Sequence, residues 1–225
     1  MSMSTLLIRL AGPMQSWGLK SAFELRNTQF DPTKSGVIGL LCASLGRERN
    51  EPLNDLTALR MGVRIDKPGD LAFDYQTALN VAKADGGKPD TQLSHRAYLA
   101  DAAFWVGFEG DAVLLKKLHH ALLNPVWPQF LGRKSYLPGI PLVDPHSACM
   151  ELPLEQALQQ APRMQAEYEK VAGTPVKYII DSEAQEGTEQ RHDVPLSFEI
   201  NHRTFAFRSV KSCWGLVNTE EVLYV

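Results

Sequence analysis

The segment from Pro32 to Gly46, PTKSGVIGLLCASLG, constrains the fold of this chain most. Thr33 or Ser35 can accept a hydrogen bond from a backbone N–H of the first turn, and Gly46 can take the left-handed conformation that closes a helix, so the spacing predicts about three helical turns. Between those caps the residues are apolar on nearly every side. Such a helix has no face to give to water, and must be enclosed between a sheet and other elements.

The flanking patterns supply those elements. Thr5 to Leu10 reads as a strand stopped by Gly12-Pro13, and Met61 to Asp66 as a second strand after a polar stretch, 47–60, with Leu53, Leu56 and Leu59 at helical spacing. From Phe73 to Arg96 the alternation of Tyr75, Thr77, Leu79 and Val81 around Asp85-Gly86-Gly87-Lys88-Pro89-Asp90 predicts a long hairpin or arm. Tyr98 to Phe108 follows as a strand, Asp111 to Asn124 as an amphipathic helix capped by Asp111, and Gln129 to Leu137 as a loop. Strand, helix, strand, strand, helix, strand is the ferredoxin-like order. Beyond Pro153 the pattern predicts a polar helix from Leu154 to Glu169, a solvated acidic loop over 181–193 and a strand from Phe198 to Val210. The fold expected is α+β: a ferredoxin-like (RRM-like) domain in 1–150 with a hairpin arm at about 73–96, and a smaller β-rich extension in 151–225.

Composition excludes more than it assigns. A 44% hydrophobic and 22% charged chain is ordinary for a globular protein. Cys42, Cys149 and Cys213 lie too far apart for a zinc motif or a disulfide framework, which fits a reducing cytoplasm and no metal or other cofactor. The run Leu6 to Leu10 is broken by Arg9 and Gly12-Pro13, far short of the roughly 20 apolar residues of a membrane span, so no membrane partner is expected. Net charge is −3, but residues 1–50 carry six Lys or Arg against three acids, whereas 151–225 carry seven against twelve. The basic surplus falls with the glycine-rich motifs, on the side where an anionic partner would bind.

Three segments carry residues suited to a nucleic acid. In Leu10 to Gly18 the glycines and Pro13 force a tight path that presents Met14, Gln15 and Trp17; these can face a nucleotide, or plug the end of the core. Lys34, Ser35 and Gly36 stand at a helix N-terminus, where free N–H groups and a lysine can seat a phosphate, though the same features fit a capped helix with a solvated lysine. The P-loop spacing is absent, which argues against an ATPase. Arg133, Lys134 and Ser135 follow Gly132 and can supply a fork and a point charge to a backbone phosphate, or a solvated surface pair. His119, His120 and His146 form no catalytic motif, whereas His95, beside Arg96 at the base of the arm, is placed to touch RNA.

LRLAGPMQSWG, PTKSGVIGLLCASLG, SHRAYLADAAFWVGF and QFLGRKSYLPGIPL resemble, in order and spacing, the Cas-five family of type I-E CRISPR complexes, over about residues 5 to 145. The resemblance implies a non-catalytic subunit of Cascade that holds the 5′ handle of the CRISPR RNA, caps one end of the complex and takes part in antiviral defence. It implies RNA contacts from Gly12, Pro13, Met14, Gln15, Ser16, Trp17, Arg26, Lys34, Ser35, Gly36, His95, Arg96, Arg133, Lys134 and Ser135. Its implied partners are the crRNA, the backbone subunit against which the arm packs, the large subunit, and target DNA through the complex. The alternative is a metal-independent endoribonuclease, as in some type I-C relatives; no Tyr, Lys and His set aligns with theirs, Lys116, Lys117, His119 and His120 falling on a helix.

Overall fold

A computed structural model describes residues 4–18, 25–165, 173–186, 189–218 and 222–225. The fold is mixed α/β, built mostly of antiparallel strands. In chain order the elements are β1 (Ser4–Ala11), β2 (Met14–Gln15), β3 (Leu25–Arg26), α1 (Lys34–Leu45), α2 (Asn54–Thr57), β4 (Arg60–Lys67), β5 (Asp70–Val81), β6 (Asp90–Ala100), β7 (Ala103–Gly110), α3 (Ala112–Leu123), α4 (Leu154–Gln160), β8 (Arg163–Gln165), β9 (Val176–Ser182), β10 (Glu189–Ser197), β11 (Thr204–Gly215) and β12 (Val222–Tyr224).

Six strands in the order β1-β7-β4-β9-β11-β10 form the main sheet, every neighbour antiparallel. Along the free edge of β1 the chain runs without a regular strand. It is held there by Gly139 N donating to Ala11 O, Arg9 N to Leu142 O, and reciprocal bonds between Thr5 and Met150. One face of the sheet packs α1 and α3: Leu6, Ile8, Val63, Phe104 and Phe108 meet Val37, Ile38, Leu41, Leu115 and Leu118 in one core. The other face takes α4, with Leu154 and Leu158 on Trp105, Tyr178 and Ile180. Gly107 makes that second contact possible, because a Cβ there would lie 2.5 Å from Leu154 Cδ1.

Helix α1 behaves as its sequence requires. Thr33 accepts from Gly36 N, Gly46 closes the helix at φ 73, and Val37, Ile38, Leu40, Leu41 and Cys42 are buried on several sides. Other elements differ from expectation for local reasons. Of 47–60 only Asn54–Thr57 is helical, because Pro52 cannot continue a helix from upstream. The helix expected to Glu169 stops at Gln160, where Pro162 holds Ala161 extended, and 166–169 lie outside the described residues. The strand expected over Tyr98 to Phe108 divides at Asp101, whose φ is 53, so that β6 and β7 enter different sheets.

The acidic segment 181–193 is not a solvated loop: Asp181 and Ser182 end β9 and Glu189 to Asp193 begin β10, with 187 and 188 outside the described residues. Asp193 is fully buried because it accepts from Arg208 Nε at 2.7 Å, Arg208 Nη2 at 2.8 Å and Lys34 N at 2.9 Å. Among the described residues no helix is long and apolar enough to cross a membrane.

Candidate functional site

The arm is a hairpin of β5 and β6, paired from Asp70↔Ala100 to Val81↔Asp90. At its root, β6 also pairs β2 antiparallel and β3 parallel, giving a second, four-stranded sheet. The short parallel pairing sets Leu25 beside His95 and Arg26 beside Arg96. The turn 131–136 closes the site: Ser16 N donates to Leu131 O at 3.0 Å, and Gly132, at φ 92, lies directly on the Ser16 carbonyl. Four segments distant in sequence therefore meet: Gly12 to Gly18, β3, the root of β6, and Gly132 to Tyr136.

Their side chains do not all face outward. Gln15 is buried, its Nε2 donating to Leu10 O at 3.0 Å and Ala102 O at 2.7 Å while its Oε1 accepts from Trp17 Nε1 at 3.2 Å. Trp17 is buried too, and Ser16 Oγ donates to Ala97 O. The expectation that these three face a nucleotide is corrected: they plug the end of the core, since the loop carries apolar and amide groups that only internal partners satisfy here. Gly12 and Met14 are half-buried beside them, and Pro13 is exposed.

Lys34 requires the same correction. Its ammonium donates to Leu59 O at 2.7 Å and pairs with Asp181 at 2.9 Å, and its residue is only 4% exposed. The seat for an anion at the start of α1 is filled from within by the Asp193 carboxylate. Ser35 and Gly36 are half-buried, and Gly36 packs on the Trp17 ring.

The groups open to a partner lie at the arm root. Arg26 is exposed; Arg96 is half-buried, with Nε donating to Ser94 Oγ at 3.0 Å. Among the described residues no carboxylate pairs with either. Asp74 stands opposite Arg96 in register, yet both of its oxygens accept from Gln76 Nε2. His95 is exposed and its ring lies 5.0 Å from that of Tyr75. Lys134 and Ser135 are exposed on the turn 131–136, while Arg133 turns inward to Tyr136, Arg26 O and Ala97 O.

Tyr75 was not among the expected site residues. Closing the hairpin about Asp85 and Gly86 puts it opposite His95, so the register carried the signal. On the same strands, on either side of this pair, Phe73, Leu79 and Leu93 are exposed, apolar groups of a kind that a free surface rarely gathers. Among the described residues no three His, Cys, Asp or Glu side chains are gathered as a metal requires.

Comparison with known proteins adds a family. The sequence model described as CRISPR-associated protein (Cas_Cas5) matches residues 5–211. The chain is 34% identical over 149 residues to CRISPR system Cascade subunit CasD of Escherichia coli (strain K12), a match covering 59% of this chain and 66% of that protein, just under two thirds of its length. Two solved structures share the fold. One, "Crystal structure of Cas protein", has 40% identity and a TM-score of 0.75 over 95% of each chain. A chain of "CRISPR RNA-guided surveillance complex" has 32% identity and a TM-score of 0.78, over 95% of this chain and 90% of its own.

Proposed function

Because the chain belongs to the CRISPR-associated Cas5 family, we propose that it is a non-catalytic RNA-binding subunit of a type I-E Cascade complex, holding the 5′ handle of the CRISPR RNA at the root of its arm and capping one end of the assembly. The similarity to a Cascade subunit and to a chain of an RNA-guided surveillance complex supports the setting. The observation that carries the site is the Arg26–Arg96 pair. Two like charges side by side on neighbouring strands repel each other, and among the described residues neither has a carboxylate partner, so the pair suits the anion that a phosphodiester supplies.

The surrounding groups suit single-stranded RNA, which is read through splayed bases, stacking and backbone contacts. Tyr75 and His95 offer ring faces and edges at 5.0 Å separation. Lys134 and Ser135 add a charge and a hydroxyl at the mouth. The exposed apolar groups Phe73, Leu79 and Leu93 support packing of the arm on the backbone subunit; contact with the large subunit, and with target DNA through the complex, belongs to the same proposal. The order β1-β7-β4, with α1 and α3 on one face, supports a ferredoxin-like core within 1–150. On this reading β9, β10 and β11 of the 151–225 extension widen its sheet.

Replacing Arg96 or Arg26 by alanine is expected to weaken handle-RNA binding in the assembled complex. Each change should also make the slope of log affinity against log salt shallower by about 0.7, the value of one single-strand phosphate contact. Unchanged affinity of both variants at two salt concentrations sinks the assignment. Incubating the complex with repeat RNA in the absence of metal tests the catalytic alternative: intact RNA is expected, and cleavage that depends on Tyr75 or His95 overturns the non-catalytic reading.

A further inference from the structure

Arg133 differs from the other arginines of the site, because its guanidinium is engaged from within. Nη1 donates to the Tyr136 hydroxyl at 2.7 Å, and Nη2 donates to Ala97 O at 2.8 Å and to Arg26 O at 3.1 Å. Its Cζ lies 5.3 Å from the centre of the Tyr136 ring. One planar group thus binds the carbonyl of Arg26 on β3 and the carbonyl next to Arg96 on β6.

Strand β3 depends on such a clamp. Its ladder to β6 is only two residues long and parallel, the weaker of the two pairings. The register also sets two cations side by side that have no carboxylate partner among the described residues, and their repulsion pushes the strands apart. We infer that Arg133 is a positioning residue: it fixes the spacing of Arg26 and Arg96 across β3 and β6 and does not itself bind the RNA. This rests on the RNA-binding reading of the same site. Lysine cannot replace it, because a point charge on a flexible stem cannot span two carbonyls and a phenol at once.

The test uses the assembled complex and handle RNA. R133K keeps the charge and loses the fork, and is expected to weaken binding about tenfold and to make the salt slope shallower, although no charge has been removed. In an R26A/R96A background the same R133K change is expected to cause no further loss, because the groups it positions are gone. An added loss there, of the size seen in the wild-type background, makes Arg133 a direct contact and overturns the inference. Amide exchange over residues 25–29 gives a reading independent of RNA: R133K should speed exchange there and leave β4 and β7 unchanged, and unchanged exchange over 25–29 overturns the clamp. If R26A/R96A leaves RNA binding at the wild-type level, the phosphate seat fails by itself, while the exchange measurement still decides the clamp.

Discussion

Replacing Asp193 by alanine is expected to lower the unfolding free energy by about 3–5 kcal/mol, the cost of stripping one partner from a buried ion pair. The carboxylate is fully buried and is the hub of three bonds, two from Arg208 and one from the first backbone N–H of α1. Its loss leaves the Arg208 guanidinium, whose side chain is 7% exposed, with Asp181 alone, and Asp181 already serves Lys34 Nζ and Met61 N. It also leaves the start of α1 without its anion. Denaturant unfolding should show the midpoint falling with little change in slope. A loss under about 1 kcal/mol contradicts the account, since that is the range of exposed pairs.

The same carboxylate sets a pH dependence. Burial pushes the Asp193 carboxyl up, but the Arg208 bond and charge, the Lys34 N–H and the Arg191 charge outweigh it and hold it below the usual range. A depressed carboxyl contributes stability that is fully present above its unfolded value of about 3.9 and is lost as pH falls through its folded value. The wild type should therefore lose stability in acid below about pH 4 more steeply than the D193N variant, which has no such proton to take up.

This network explains why one half of the site was legible in the sequence and the other was not. Caps and turns are local, so Thr33, Gly46 and the Asp85-Gly86-Gly87 tip identified α1 and the arm from a few neighbouring residues. The arm register near the root, Tyr75 opposite His95, then follows from alternation about that tip, up to the irregularity between Ala78 and Val81. Lys34 has no such local witness: the carboxylate that fills its helix N-terminus is 159 residues away, and a lysine before a capped helix looks the same whether it is solvated or paired. Gln15 poses the same difficulty, since its amide finds Ala102 O across 87 residues. Asp181 and Asp193 read as solvated because an acidic segment usually is; Arg208, on a later strand, and Lys34, far upstream, together make their burial possible. The groups whose partners lie far along the chain were therefore the ones local patterns left open, whereas Arg26 and His95 are exposed and Arg96 is half-buried at the arm root.

Gly132→Ala is expected to damage the candidate site more than the loss of any single arginine. At φ 92 a side chain is strained by roughly 1–3 kcal/mol before any contact is counted. The added Cβ would also lie 1.7 Å from the Ser16 carbonyl oxygen, a backbone atom that no rotamer change removes. Relief requires the turn 131–136 and the loop 12–18 to part, which breaks the bond from Ser16 N to Leu131 O and moves Arg133 off the carbonyls of Arg26 and Ala97. A stability loss of about 3 kcal/mol or more is expected, the scale of a forced backbone shift. Handle-RNA affinity in the complex should fall further than in R96A, since Arg26 and Arg96 lose their spacing together. Gly87→Ala at the arm tip is the control, its nearest atom being Asp85 Oδ1, the end of a mobile side chain, at 3.1 Å. That change should stay within about 0.5 kcal/mol, and a G132A protein that melts and binds RNA as G87A does would show that the turn does not organise the arm root.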